Sequence, residues 1–292
     1  MTLEAIQKRI SQIDTIATLP HVATEILEIL RNQNTSMKQI ADVIEKDPSI
    51  TTKILKVSNS PIWGFSGRID NLQRALVLLG LKQVSNIVIA VSMYTTFNKL
   101  KPNPEFDREK FWLHSIGTSH IARSLSLKLG LNFHGEEFVA SLIHDIGKII
   151  LDQYFTDLFT QILHDAQETN RTAYALEKEY LGVTHAQLGA LLLEQWKFPP
   201  SIVRAVGYHH TPVAVDANKD LVATIRLADV MCELWGIGFD ADIRMVDLYA
   251  DSGWRILQQF TPKLRNLDVE RFLFEVDKEI EKAKLFIEMI ND

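Results

Sequence analysis

Apolar residues recur at helical spacing through almost the whole chain, and stretches with strand-like alternation are nearly absent. Ile40, Val43 and Ile44 show this spacing in a short segment, and residues 267–290 show it over a long one. We therefore expect an all-α protein. The 292 residues are enough for about two domains with hydrophobic cores of their own.

Two prolines within Lys101-Pro102-Asn103-Pro104 mark the clearest break in the helical pattern. We expect an N-terminal bundle of about five short helices over residues 1–100. A second helical domain is expected over 105–235, followed by a C-terminal extension of amphipathic helices over 236–292.

Breakers and caps divide the N-terminal bundle. Residues 1–16 predict a short amphipathic helix, Leu19-Pro20 opens the next helix, and Gly64 and Gly67 mark a loop. Residues 36–57 have the spacing of a helix–turn–helix, but no stripe of Arg and Lys accompanies them. We therefore expect a packing or recognition module and not a nucleic-acid-binding domain.

The charge and cysteine content point to no special partner or compartment. The net charge is −6, and it gives no global attraction to nucleic acid or to acidic membranes. A single cysteine, Cys232, rules out an internal disulfide and fits a reducing compartment. The densest apolar stretch, 84–93, is shorter than the roughly 20 residues that span a bilayer. We expect a cytoplasmic protein with no membrane contact.

The most unusual segment is the apolar run 140–148, which contains His144, Asp145 and Lys148 on a predicted helix over 136–151. Burying a charge without a partner costs several kcal/mol, so the cluster should have a compensating ligand or ion. The alternative is a buried His–Asp hydrogen bond at a helix end. Lys148 should lie near the same opening as Asp145, unless it is a surface lysine near a helix end.

Further polar groups lie on separate predicted helices of the second domain. They are His114, His185, the pair His209-His210, and Asp229. Each one alone is typical of a satisfied core or capping residue. Together they match the way in which a helical bundle builds a metal site, from inward-pointing His and carboxylate side chains on facing helices.

The order of these residues resembles that of a known superfamily. His114, then His144-Asp145 in His-Asp-Ile-Gly-Lys, then a distant Asp229 is similar to the HD superfamily of metal-dependent phosphohydrolases. His185 and His209-His210 resemble the additional ligands of its two-metal members, such as the HD-GYP cyclic-di-GMP phosphodiesterases.

The front of the chain resembles the HDOD family, a bacterial signalling module related to the HD fold. The likeness covers roughly residues 10–215, and the motif runs that carry it are Ile16-Ala17-Thr18-Leu19-Pro20, Ile44-Glu45-Lys46-Asp47-Pro48, Lys53-Ile54-Leu55-Lys56-Val57-Ser58-Asn59-Ser60 and Ala75-Leu76-Val77-Leu78-Leu79-Gly80. Many HDOD proteins lack HD metal ligands and act as regulatory or scaffold modules, whereas this sequence keeps them. Thr211-Pro212 follows His210 in place of the Gly-Tyr-Pro of HD-GYP proteins, which weakens the expectation of cyclic-di-GMP hydrolysis.

The resemblance implies a divalent metal centre of one or two ions, with iron, manganese or zinc expected from mixed imidazole and carboxylate ligands. One ion would be held by His114, His144, Asp145 and Asp229. The second would be held by His185, His209 and His210, with Asp145 as the bridge. Asp145 and Lys148 are the expected catalytic residues, Lys148 as the partner of a phosphate oxygen.

Two functions follow from the resemblance. The first is a regulatory signalling protein whose N-terminal helices bind a signalling protein partner. The second is an active metal-dependent phosphohydrolase acting on a nucleotide or cyclic dinucleotide.

Overall fold

The structure, a computed structural model, describes residues 19, 21–30, 35–59, 68–101, 103–169, 171–238 and 247–291. Throughout these residues the secondary structure is helical and contains no strand, so the all-α prediction is confirmed. The predicted helix over 1–16, Pro20 and the loop at Gly64 and Gly67 lie outside the described residues.

The described residues form two compact units. Those of Ala17–Lys99 and Glu281–Asp292 form the smaller unit, and those of Leu100–Ile280 form the larger one. The division at residue 99 lies beside the predicted break at 101–104. It differs from the expected three parts after residue 236, since everything described from there to Ile280 groups with the larger unit.

The smaller unit contains five short helices before residue 100. They are α1 (His21–Leu30), α2 (Met37–Ile44), α3 (Pro48–Ser58), α4 (Leu72–Leu79) and α5 (Leu81–Asn98). Ser36 and Gln39 form a reciprocal capping box on α2, and Asp47 caps α3 with Pro48 at its first position. Gly80 separates α4 from α5 with a φ of 82°, a conformation that favours glycine.

The helices of the larger unit follow residue 100. They are α6 (Arg108–Leu129), α7 (Glu136–Ile143), α8 (Ile146–Tyr154), α9 (Thr156–Thr169), α10 (Ala173–Leu181), α11 (His185–Gln195), α12 (Pro200–Tyr208), α13 (Lys219–Leu234), α14 (Ser252–Phe260) and α15 (Val269–Asn291), the last of which continues into the smaller unit. Two short 3₁₀ segments, Pro212–Ala214 and Pro262–Asn266, complete it.

Helices α6 and α13 form the centre of one hydrophobic core of the larger unit. Ile121 and Leu125 of α6 are fully buried there together with Leu227 of α13. Phe272 and Val276 of α15 belong to the same core, which explains why the expected C-terminal extension does not stand apart. Burial of these side chains is the main stabilising contribution to this part of the fold.

No described helix taken singly is long and apolar enough to cross a bilayer. Only α4 and α5 taken together reach that length and composition, and they are bent by 118° at their junction.

The predicted single helix over 136–151 is wrong. Helix α7 ends at Ile143 and α8 begins at Ile146, so His144 and Asp145 form the junction between two helices. Asp145 has φ −97° and ψ 8°, outside the helical range, and its carbonyl oxygen accepts the N–H of Lys148 at 2.8 Å in a tight turn.

Candidate metal centre

The junction between α7 and α8 carries the central pair of polar side chains into the interior. His144, Asp145 and Lys148 are each only 1% exposed. Three further helices bring their own polar groups to this place. They contribute His114 from α6, His185 from α11 and Asp229 from α13, while His209 and His210 follow the end of α12.

Three of these residues form a first group. His114, His144 and Asp229 offer ligand atoms that all lie within 4.8 Å of one another. The Nε2 atoms of His114 and His144 are 3.3 Å apart. Asp229 Oδ1 lies 3.2 Å from Nε2 of His114 and 3.6 Å from Nε2 of His144.

A second group contains Asp145, His185, His209 and His210, again within 4.8 Å of one another. Nε2 of His185 lies 3.4 Å from Nε2 of His209 and 3.0 Å from Nε2 of His210. His210 is the one member of either group that is partly exposed, because the other six residues have at most 4% of their surface accessible.

Asp145 joins the two groups through its two carboxylate oxygens. Oδ2 lies 3.4 Å from Nε2 of His144 and 3.8 Å from Nε2 of His114. Oδ1 lies 3.2 Å from Nε2 of His185 and 3.6 Å from Nε2 of His209. All seven residues singled out in the sequence therefore meet at one place, with Asp145 between the two groups.

Hydrogen bonds at the far side of the imidazole rings fix their orientation. Nδ1 of His114, His144 and His209 lies 2.7, 2.6 and 2.7 Å from the carbonyl oxygens of Ile237, Ser141 and Val206. Since a carbonyl oxygen can only accept, each of these Nδ1 atoms carries the hydrogen. The neutral ring then presents the lone pair of Nε2 to the cluster.

This arrangement suits a bound metal. Lone pairs of neighbouring Nε2 atoms that face one another require a cation between them, either a proton or a metal ion. Asp145 Oδ1 is buried and accepts no hydrogen bond from any described residue, although two imidazole nitrogens lie within 3.6 Å of it. Nitrogen and oxygen donors in this mixture fit iron, manganese or zinc.

Burial and neighbouring charges shift the pKa of one imidazole upward in each group. Burial alone would lower the pKa of His185, but the Glu177 carboxylate raises it to about 10. Burial would likewise lower the pKa of His114, but Cys232 and Asp229 raise it well above its ordinary value. Binding of a metal would displace these protons, because a ligand imidazole must be neutral.

The remaining groups titrate so as to favour the ligand forms. Burial lowers the pKa of His209 to about 4. Burial would raise the pKa of Asp145, but His144 and Lys148 hold it well below its ordinary value. For Asp229, burial is in the same way outweighed by His114 and His144, which keep the pKa low. Both carboxylates are therefore ionised at neutral pH.

Lys148 is a buried ion-pair partner, and the alternative of a surface lysine is wrong. Its Nζ donates to Asp145 Oδ2 at 2.9 Å. A buried ammonium with an adjacent carboxylate satisfies the requirement that buried charges are paired. In this structure Lys148 acts on the bridging carboxylate and not on the surface of the protein.

Glu177 is a functional residue that sequence reasoning missed. This carboxylate is fully buried, and its Oε2 accepts both the backbone N–H and the Nδ1–H of His185, each at 2.8 Å. The available signal was its position four residues after Ala173 and four before Leu181, on the apolar face of α10. A carboxylate on such a face is costly unless it serves a partner.

Comparison with known proteins identifies relatives of this architecture. The family model of the HDOD domain matches residues 16–212. An HDOD domain protein with unknown function from Geobacter sulfurreducens is 24% identical, with a TM-score of 0.84 over 98% of this chain and 97% of that chain. A protein of Shewanella amazonensis named as a candidate phosphohydrolase is 22% identical, with a TM-score of 0.71 over 97% of this chain and 98% of that chain. At these identities the likeness shows a shared fold.

A third structure and one curated protein extend the comparison. A protein of Marinobacter aquaeolei named as a candidate signal transduction protein is 19% identical, with a TM-score of 0.71 over 99% of this chain and 66% of that chain. An uncharacterized protein of Treponema pallidum is 23% identical over 75% of this chain. The chain spans only 42% of the length of that relative.

Proposed function

This chain belongs to the HDOD domain family, and from that premise we propose that it is a signal-transduction regulator that carries a two-metal centre. The observation that carries the proposal is the position of Asp145, which turns one carboxylate oxygen toward each of two histidine groups. A single carboxylate between two sets of inward-facing imidazoles is the arrangement of a bridged pair of metal ions.

The chain supplies a complete ligand set for such a pair. His114, His144 and Asp229 would hold one ion, and His185, His209 and His210 the other, with Asp145 shared. When bound, divalent ions of this kind lower the pKa of a coordinated water and polarise a phosphoester. Lys148 holds the bridging carboxylate in place, and Glu177 holds His185.

Burial of the ligands favours a regulatory or sensory role for the metals over turnover. Six of the seven residues have at most 4% of their surface exposed, and only His210 reaches the surface in part. Such a centre can hold ions while offering little room for a substrate. Its occupancy would be reported to a partner through the stability of the surrounding helices.

For the partner contact we assign an open cavity of about 560 Å³ in the smaller unit. Leu55 and Ile69 give it apolar lining, and Lys56 and Arg68 give it positive charge. Burial together with the charges of Lys56 and Lys99 lowers the pKa of Lys53, so positive charge is concentrated on this side. The expected occupant is an acidic segment with apolar side chains from a signalling protein.

The second candidate function is a metal-dependent phosphohydrolase acting on a nucleotide or cyclic dinucleotide. The intact set of seven ligands favours it, because a regulator that only binds a partner has no need of a bridging carboxylate. The name of the Shewanella amazonensis relative agrees with this function.

Three measurements separate these functions. Metal analysis of the purified chain tests the centre itself, and the expected content is two ions per chain. A turnover panel of cyclic dinucleotides and phosphoesters tests catalysis, with the double variant His144→Ala/Asp145→Ala as the metal-free control. Partner binding should be lost in Lys56→Glu/Arg68→Glu if the regulatory function is correct.

Each function makes a different prediction for these variants. Activity that is present in the wild type and absent from His144→Ala/Asp145→Ala supports the hydrolase. No turnover across the panel, with partner binding that the Lys56→Glu/Arg68→Glu variant loses, supports the regulator. A chain that takes up no metal at any pH from 6 to 9 rules out the centre in both cases.

A further inference from the structure

Arg226 occupies the edge of the proposed metal centre. It lies on α13 one turn before Asp229, and its side chain is 14% exposed where those of the buried ligands are nearly inaccessible. The charge of Arg226 also reaches His210, the ligand that is partly exposed. Burial lowers the pKa of His210, and the positive charges of His209, His185 and Arg226 lower it further.

One side of the guanidinium is held in place. Nε and Nη2 of Arg226 both lie 3.1 Å from Asp251 Oδ2. Asp251 is itself fixed, because its Oδ1 accepts the N–H of Gly253 at 2.7 Å and caps α14. The guanidinium is thus anchored from α14 and loses little freedom when its other side binds a ligand.

The opposite end of the guanidinium faces the metal ligands. Nη1 lies 3.8 Å from Asp229 Oδ2, a distance of charge attraction beyond hydrogen-bonding reach. Oδ1 of the same carboxylate turns toward His114 and His144. The two N–H groups at this end, one on Nη1 and one on Nη2, form a planar fork beside the proposed centre.

We propose that Arg226 binds a phosphate group of a ligand at the exposed edge of the metal centre. A guanidinium fork matches two phosphate oxygens in geometry and charge. Lys148, the residue expected from sequence for this task, is fully buried and paired with Asp145. The inference rests on the proposed two-metal centre, because Asp145, Asp229 and Asp251 would repel a phosphate in the absence of metal ions.

The test is calorimetric titration of inorganic phosphate into the full chain loaded with Mn²⁺, with the metal content measured for each sample. Arg226→Gln should weaken phosphate binding about tenfold or more, since a charge-assisted hydrogen bond to an anion is lost. Arg226→Lys keeps the charge without the fork and should show an intermediate loss. The wild type stripped of metal should bind phosphate at least tenfold more weakly than the loaded protein.

Arg204→Gln is the matched control. Nε and Nη2 of Arg204 are held by Asn218 Oδ1 at 3.1 and 2.8 Å, in the same manner as Arg226 by Asp251. This variant should bind phosphate as the wild type does. If Arg226→Gln does not fold, the comparison of Arg226→Lys with the wild type decides.

The outcomes separate this inference from the proposed function. Phosphate binding within twofold of wild type in a fully metal-loaded Arg226 variant overturns the role of Arg226 and leaves the metal centre intact. A wild type that retains two ions and binds no phosphate has the same meaning. A wild type that takes up neither metal nor phosphate overturns both.

Discussion

Glu177 shows how one buried charge can prepare a neighbouring imidazole for a metal. The other three anchored histidines donate Nδ1–H to neutral carbonyl oxygens, whereas His185 donates to a carboxylate. A carboxylate raises the basicity of the ring and strengthens the bond from its far nitrogen to a cation. His185 is therefore expected to contribute the strongest single nitrogen ligand of the second group.

Glu177→Gln should weaken binding of the second metal ion by about 10- to 100-fold, the usual cost of losing a partner of a ligating histidine. Mn²⁺ titration followed by calorimetry measures this change. Glu179→Gln is the control, because Glu179 lies on the same helix, is exposed and pairs with Arg171. Equal affinities in the two variants would show that Glu177 does not act on the metal site.

Glu137 is a buried carboxylate away from the centre, and it provides a test of pH dependence. Burial raises the pKa of Glu137 above its ordinary value, although the N–H of Gly135 and the charge of Arg123 oppose the shift. The folded chain therefore holds this proton more tightly than the unfolded chain does. Stability attributable to Glu137 is lost as pH rises from the ordinary pKa through the raised one.

Glu137→Gln should consequently stabilise the protein at neutral pH, by on the order of 0.5 kcal/mol. Its advantage should vanish below the ordinary carboxyl pKa, where the wild-type side chain is protonated in both states. Urea unfolding of both proteins from pH 4 to pH 8 measures the difference. An advantage that is unchanged or larger at the acid end would contradict the assigned shift.

At the level of single residues, the sequence predicted which seven side chains converge, because each was a polar group on an otherwise apolar helix. It did not predict the state of Lys148, since helical spacing places a side chain near Asp145 but does not determine its burial. Glu177 was missed because its partners are Nδ1 and a backbone N–H, neither of which has a sequence signature.

At the level of elements, the close approach of α8 to α11 positions His185 beside Asp145. A Cβ atom on Gly147 would overlap the carbonyl oxygen of His185 and would lie 2.9 Å from the backbone nitrogen of Gly189. Only glycine allows the two helices to come this close. The spacing that brings Asp145 and His185 to 3.2 Å thus depends on Gly147.

Gly147→Ala should destabilise the larger unit by about 3 kcal/mol or more, because the added methyl group meets rigid backbone. Metal uptake should fall with it, as α11 is pushed away from Asp145. Thermal unfolding together with metal content measures both effects. Gly207→Ala is the control: its Cβ would meet only Ala190 Cβ at 3.1 Å, so a small change of either sign is expected. Similar losses in both variants would contradict the special role of Gly147.

The break between α7 and α8 could not be predicted from the sequence. Apolar residues continue at helical spacing from Ala140 to Ile150, and neither proline nor glycine stands at His144 or Asp145. Local propensity therefore favours one continuous helix. The tight turn at Asp145 is specified by tertiary contacts, in which the groups from α6, α11 and α13 surround these two side chains.

At the level of the whole molecule, the predicted boundary beside Pro104 agrees with the observed division because paired prolines interrupt any helix. The division after residue 236 was not predictable in the same way. An amphipathic helix such as α15 shows that one face will be buried, but not against which surface. In the structure Phe272 and Val276 pack into the core of α6 and α13.

The placement of all seven proposed ligands in the larger unit leads to a prediction for the whole chain. A ligand that binds only the folded state adds about 2.7 kcal/mol of stability at a free concentration one hundred times its dissociation constant. For a unit of this size that corresponds to roughly 5–10 °C in Tm. Chelation of the metal should lower the transition of the larger unit by this amount and leave that of the smaller unit unchanged.

Differential scanning calorimetry of the full chain with and without EDTA measures both transitions, and the larger unit is recognised by its larger unfolding enthalpy. Asp145→Asn removes the ligand that both groups share, so this variant should show no response to EDTA. If chelation instead moves both transitions equally, the two units unfold as one cooperative body and the stabilisation is not confined to the larger unit. An undiminished EDTA response in Asp145→Asn would mean that the stabilising metal binds elsewhere in the chain.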